Sequence, residues 1–342
     1  MNRRNGLTSG ATCGMTFAAP DASPVLTPAS QAAHPAVASS GRIGMSQAMF
    51  AQTPTGKGSP AGPNSAKALA LSRRASFIER TDGTSLFYRD WGTGRPVVFI
   101  HGAGLCSEMW SYQMMPFVAA GFRCIAFDRR GHGRSSDPGR GYDYDTLADD
   151  LAAVLEVLDV NDAVLVGHAM GCGEIVRYLG RHGDSRVSRV ALIAPTLPFL
   201  LKTPDNPSGV EPAVFESIRA AWLRDFPKWV ADNAPPFFAS GTSSEMVRWS
   251  VDMMAATSLQ AVVECNRVAV ETDFRKELPR LHKPVLIVHG TADVSAPLEI
   301  TAKRAAQLIP RSELKVYDGA PHGLFITHMD QLNGDLLSFA RA

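Results

Sequence analysis

The sequence predicts an α/β protein: a mostly parallel sheet flanked by helices, with a helical cap inserted into it. Three observations carry this reading. Short, almost wholly apolar runs recur at Val97–Ile100, Cys124–Phe127, Ala163–Val166, Val190–Ile193, Val285–Val288 and Leu314–Tyr317, the pattern of strands covered on both faces. Most of them alternate with stretches of helical periodicity, which argues parallel strands joined by helices. The alternation then lapses for about 90 residues after Ile193 and resumes at Val285, and helix and aromatic signals fill the gap.

Taken in order, residues 1–74 are rich in Ala, Ser, Gly and Pro, with Phe17 and Phe50 as their aromatics. Such a segment buries too little apolar surface to offset chain entropy and reads as a disordered tail. Its start, Arg3-Arg4-Asn5-Gly6-Leu7 followed by uncharged Thr8–Ala19, has the look of a twin-arginine export signal. If that signal acts, the protein works outside the cytoplasm; if not, inside it. Ser76–Arg80 and Leu86–Asp90 flank Asp82-Gly83, a hairpin turn. Asp145 reads as the cap of a helix whose Leu147, Leu151, Val154, Leu155 and Leu158 share one face. The sheet domain is thus expected over 75–195 and 276–342, and the cap over 196–275.

Composition narrows the function. Of 342 residues, 45% are hydrophobic and 20% charged, the balance of a globular chain with a sizeable core. The net charge is +1, but residues 1–74 hold seven Lys or Arg and one acid, so residues 75–342 carry a net −5. A body of that charge does not suit nucleic acid. Val190–Leu201, the longest apolar run, is broken by Pro195 and Pro198 and falls short of the roughly 18–20 residues a membrane span needs. Five cysteines at 13, 106, 124, 172 and 265 form neither a disulfide framework nor a CxxC pair. No histidine grouping has metal-ligand spacing, and no cofactor is expected.

The chemistry centres on Gly167-His168-Ala169-Met170-Gly171, where a buried strand turns sharply into a helix. Flanking glycines of this kind let a strained turn present one side chain above a sheet. That side chain ought to be Ser, Cys or Asp; here it is Ala169, which can neither attack a carbonyl nor lose a proton. The rest of a triad follows in the order such a turn requires. Asp293 lies just after the strand Val285–Val288, and His322 just after Leu314–Tyr317. His322 would be the base, with Asp293 fixing its tautomer and stabilising its charged form. The glycine-rich His101-Gly102-Ala103-Gly104 follows Val97–Ile100, so the backbone N–H groups of Ala103 and Met170 are the expected oxyanion pair. Asp128–Ser136 matches neither phosphate-binding pattern and reads as a tight supporting loop. Cys172 reads as a small side chain packed beneath the turn rather than as a displaced thiol nucleophile. Of the apolar cap residues, Phe237 and Met253 are the candidates for the wall of the substrate pocket.

These residues carry a resemblance. FIHGAGL (99–105), DRRGHGRSS (128–136), GEIVRYLGRHG (173–183), HGTAD (289–293) and VYDGAPHGLFITH (316–328) resemble the α/β-hydrolase superfamily, and within it the cofactor-free haloperoxidase, arylesterase and lactonase branch. The resemblance covers 76–342 and none of the tail. It implies the α/β-hydrolase fold and serine hydrolysis of small esters or lactones. It also implies perhydrolysis of short acids to peracids, which oxidise halide without haem or metal. Two departures stand out: the family's serine is Ala169, and a glycine of its turn helix is Cys172.

Three functions are compatible with the missing nucleophile. The first is a hydrolase for a small ester, lactone or acid that Ala169 disables or turns into a substrate trap. The second is an enzyme that needs no nucleophile and uses His322–Asp293 as a general base, for lyase or cofactor-free oxygenase chemistry. The third is a ligand-binding receptor. The sequence leaves open whether the chain forms a homo-oligomer.

Overall fold

The computed structural model describes residues 76–342. The expected tail and its export signal lie outside the described residues. Eight strands form one sheet: β1 (Phe77–Glu79), β2 (Ser85–Trp91), β3 (Pro96–Ile100), β4 (Arg123–Phe127), β5 (Ala163–His168), β6 (Val187–Ile193), β7 (Val285–Gly290) and β8 (Ser312–Tyr317), in the order β1-β2-β4-β3-β5-β6-β7-β8. β2 pairs antiparallel with β1 and with β4, and every later pairing is parallel. This is the mostly parallel sheet that the apolar runs predict.

The pleat explains why those runs are apolar throughout. Val97 and Phe99 of β3 join one core, against Trp110, Phe117, Phe325 and Leu332. Val98 and Ile100 point the other way, into a second core with Leu151, Leu165, Ile175 and Ile287. These four residues are each 0% exposed. At about 1.5–3 kcal/mol for each fully buried side chain, this strand alone contributes roughly 6–12 kcal/mol of gross hydrophobic stabilisation.

Helices α1 (Ser111–Ala119), α2 (Tyr144–Val157) and α3 (Met170–His182) connect the strands before β6. α2 starts earlier than the sequence suggested. Asp143, in extended conformation, accepts a 2.9 Å hydrogen bond from the Thr146 N–H and is the cap. Asp145 lies inside the first turn and pairs with Arg177 and Arg181.

Between β6 and β7 the chain leaves the sheet for α4 (Pro212–Asn233), α5 (Ser244–Ala255) and α6 (Leu259–Glu271). α4 is two helices in series: Asp225 has φ −161 and ψ 83, and its carboxylate accepts from the Lys228 N–H as a fresh cap. Pro227, which has no N–H to offer, accounts for the break. Helices α7 (Ala302–Leu308), α8 (Leu324–Thr327) and α9 (Met329–Arg341) complete the described chain. Among the described residues no helix is long and apolar enough to cross a membrane.

The order β4-β3-β5 places the strands that follow β3 on opposite sides of it. The crevice above β3 and β5 is therefore the switch point where open α/β sheets bind ligands. Ile100 pairs with Gly167, and His168 with Ile193, so the loop leaving β3 and the turn leaving β5 emerge side by side.

Candidate active site

The turn after β5 is held in a conformation that alanine rarely adopts. Ala169 has φ 50 and ψ −114, a sparsely populated region that costs about 1–3 kcal/mol and persists only where the surroundings impose it. Here the imposition is visible. The Ala169 N–H bonds the Ile193 carbonyl at 2.9 Å, and Cys172 N–H bonds the Ala169 carbonyl at 3.1 Å. Glycine is required on either side: a Cβ on Gly171 would stand 2.6 Å from the Ile100 carbonyl oxygen, and one on Gly167 2.9 Å from Cys172 N. Cys172 lies beneath the turn at 0% exposure, its Sγ 3.3 Å from the Gly167 carbonyl and 3.6 Å from that of Ile193. Burial raises its thiol well above the ordinary value, so it is inert as a nucleophile.

The structure brings Asp293 and His322 together. His322 Nδ1 lies 2.7 Å from Asp293 Oδ2, which makes Nδ1–H the donor and leaves Nε2 as the ring nitrogen for chemistry. Asp293 Oδ1 accepts from the N–H groups of Ser295 (2.9 Å) and Ala296 (2.8 Å). Two further histidines, unremarked as partners in the sequence, complete the arrangement. His289 Nε2 stands 3.2 Å from Asp293 Oδ2 and 2.7 Å from the Ala296 carbonyl, so its N–H is shared between them. Burial alone would raise the Asp293 carboxyl; the attraction of His322 and the hydrogen bonds from His289 and His322 outweigh it and hold the group below the usual carboxylate range.

His168 Nε2 lies 3.1 Å from the His322 backbone carbonyl, and its ring packs 4.8 Å from the His322 ring. Burial pushes His168 down to about 3, so it remains neutral and donates through Nε2–H. A Cβ at Gly102 would meet His168 Nδ1 at 2.7 Å and the Ala169 methyl at 3.5 Å. The loop leaving β3 therefore crosses directly against the turn. Met170 opens α3, where backbone N–H groups lack intrahelical acceptors, and Ala103 is the residue after Gly102 on that crossing loop.

Beneath this surface lies a buried polar layer. Arg129 and Glu174 form an ion pair at 1% and 0% exposure. Burial raises the Glu174 carboxyl to about 7 against the pull of Arg129. His132 Nε2 accepts from the Gly104 N–H at 3.3 Å, and its Nδ1 lies 3.0 Å from the Arg130 carbonyl. Burial, reinforced by Arg129, pushes His132 down to about 3. The 128–136 loop thus braces the 101–104 loop and, through Glu174, the helix α3 that follows the turn.

The segment between β6 and β7 closes over these loops. Thr257 donates to the Gly104 carbonyl at 3.1 Å, and Ser258 N–H to that of Gly131 at 3.0 Å. The Phe237 ring sits 5.6 Å from that of His322, and its carbonyl accepts from the Gly323 N–H at 3.0 Å. Met253 packs against the core that contains Phe238 and Phe325. Its neighbour Met254 approaches the loop itself, with Cε 3.4 Å from where a Gly104 Cβ would be. Nothing in the sequence separates these two methionines, which are adjacent and alike. Among the described residues no group of three or more His, Cys, Asp or Glu converges as a metal site would.

Comparison with known proteins agrees with this fold. Residues 95–257 match the family described as alpha/beta hydrolase fold. The chain is 41% identical over 265 residues to a non-heme chloroperoxidase of Kitasatospora aureofaciens, covering 75% of this chain and 96% of that protein. It is 37% identical over 278 residues to a bifunctional esterase/perhydrolase of Acinetobacter calcoaceticus, covering 78% and 99%. Among solved structures, a bromoperoxidase from Bacillus anthracis superposes with a TM-score of 0.74 at 37% identity, covering 76% of this chain and 96% of that one.

Proposed function

The chain belongs to the α/β-hydrolase family, and on that premise we propose that its pocket is built for acyl transfer from small carboxylic esters or lactones, with Ala169 standing where the nucleophile acts. The observation that carries this is the strained φ of 50 at Ala169 beside an intact His322–Asp293 pair. The named activities of the esterase/perhydrolase and chloroperoxidase relatives support this substrate class, with peracid formation as a second outcome.

With serine at 169, His322 Nε2 would take the hydroxyl proton as Oγ attacks the carbonyl carbon. The negative charge that develops on the carbonyl oxygen would rest on the N–H groups of Ala103 and Met170. His322 would then return the proton to the leaving alkoxide, and water would cleave the acyl-enzyme by the same steps in reverse. Hydrogen peroxide in place of that water gives a peracid. With Ala169 the first bond cannot form. The oxyanion donors and pocket still bind the ester, and the chain holds it unreacted.

The test is p-nitrophenyl acetate hydrolysis by this chain and by its Ala169→Ser variant, side by side. In a well-studied protease the triad serine is worth on the order of a millionfold in kcat, so turnover by the variant alone is the expected result. Failure of the variant to form an acyl-enzyme would refute the reading. A second reading has the chain work as it stands, with His322 as a general base. The ionised, fully bonded Asp293 favours it, because that carboxylate stabilises an imidazolium whether or not a serine is present. It requires turnover of the unaltered chain that His322→Ala abolishes. Tight ligand binding with no turnover by either form would instead support the receptor reading.

A further inference from the structure

The Arg129–Glu174 pair touches neither Asp293 nor His322, yet it is among the most deeply buried charges described. Taking such a pair out of water costs several kcal/mol per ion, and apolar residues of similar volume often serve stability as well or better. Its hydrogen bonds indicate what else it does. One terminal nitrogen of Arg129 reaches both Glu174 and the His101 carbonyl, the latter at 2.7 Å. The other lies 3.3 Å from the Gly102 carbonyl. The Arg129 backbone N–H donates to His101 Nε2 at 2.9 Å, which leaves the ring proton on Nδ1, 2.7 Å from the same Gly102 oxygen. Leu105 N–H supplies a third donor to that oxygen at 3.3 Å.

A trans peptide is planar, with its C=O and N–H pointing in opposite directions. Three donors gathered on the Gly102 oxygen therefore turn the other end of that peptide, the Ala103 N–H, away from the buried layer. Gly102 lacks the Cβ that would otherwise resist rotation of the plane. Without the clamp, the same peptide is free to present a carbonyl oxygen, which repels developing negative charge.

We propose that Arg129, seated on Glu174, is a positioning residue that locks the Gly102–Ala103 peptide so that the Ala103 N–H is presented as an oxyanion donor. This rests on the acyl-transfer reading of the site. The decisive variant is Arg129→Met/Glu174→Gln, which removes both charges and strands neither. Its first readout needs no activity: a crystal structure in the Ala169 chain, in which the Gly102–Ala103 peptide is expected to rotate. The second is kinetic, in the Ala169→Ser background. Loss of one oxyanion donor costs about 10²–10³ in kcat, so kcat for p-nitrophenyl acetate should fall about a hundredfold while KM stays within about threefold, a split that general loosening of the fold does not produce. Arg129→Lys keeps the charge but not the planar fork, and the same loss is expected of it; it also decides the matter should the double variant fail to fold. An unrotated peptide, or full activity in Arg129→Lys, would overturn the proposal. A dead Ala169→Ser parent would count against the acyl-transfer reading alone, and the peptide orientation would still decide the role of Arg129.

Discussion

Replacing Asp293 by Asn changes one oxygen into an amide nitrogen, and the structure gives the cost. Oδ1 can keep its two backbone partners, Ser295 and Ala296, although a neutral acceptor bonds them less strongly than a carboxylate. On the other side, an NH2 group now faces the Nδ1–H of His322 and the shared N–H of His289. A hydrogen bond to a charged group is worth about 1.5–3 kcal/mol net. Exchanging the charge-assisted His322 bond for a neutral one, in which the ring's other tautomer accepts from the NH2, and losing the His289 bond to that position should destabilise the protein by about 2–4 kcal/mol at pH 7. At ~2–4 °C per kcal/mol for a domain of this size, thermal scanning should show a midpoint lower by roughly 4–16 °C. The pH dependence carries a sign. The Asp293 carboxyl is held below its unfolded value, so its stabilisation is complete above about pH 4 and is lost as pH falls through the folded value. The variant should therefore lose less stability than the parent below pH 4. In the Ala169→Ser background the same change should lower kcat by about 10⁴, because His322 takes the wrong tautomer. Unchanged stability at pH 7, or unchanged kcat, would refute the assignment of Asp293 as the orienting carboxylate.

Three further outcomes follow from contacts already described or adjoining them. Asp150→Ala removes the carboxylate that accepts from Arg130 at 2.8 and 2.9 Å, leaving a buried guanidinium with Asp82 as its remaining carboxylate; a loss of about 3–5 kcal/mol is expected in urea titration. Gly102→Ala places a methyl 2.7 Å from His168 Nδ1, and since that ring is packed on His322 the change should cost about 1–3 kcal/mol and lower kcat in the Ala169→Ser background. Cys106, Cys124, Cys172 and Cys265 are all buried, with burial raising every one of the four thiols; none should react with a chromogenic disulfide until denaturant unfolds the chain.

Much of this was legible because it depends on local pattern. The parallel strands announce themselves as apolar runs, since both faces of each are covered, as at Val97–Ile100. Asp293 and His322 stand out because each closely follows a strand, in the order that a triad on this fold requires. What the sequence concealed depends on contacts between distant segments. His168 meets His322 across 154 positions, and nothing near either residue advertises the contact. The sequence pattern points to Asp145 as a helix cap, but the cap is Asp143, whose side chain reaches the Thr146 N–H. The burial of Arg129 and Glu174, 45 residues apart, runs against the ordinary habit of charged side chains and so could not be read from type alone.

The strained backbone at position 169 bears on how readily this chain could change its chemistry. A pose that costs about 1–3 kcal/mol is the hard part of a reactive turn to evolve, because glycines and neighbouring loops must all accommodate it. Here that architecture stands complete around a methyl group. Every alanine codon becomes a serine codon by replacement of its first base. On the acyl-transfer reading proposed above, binding and reactivity at this site would be separated by a single base change.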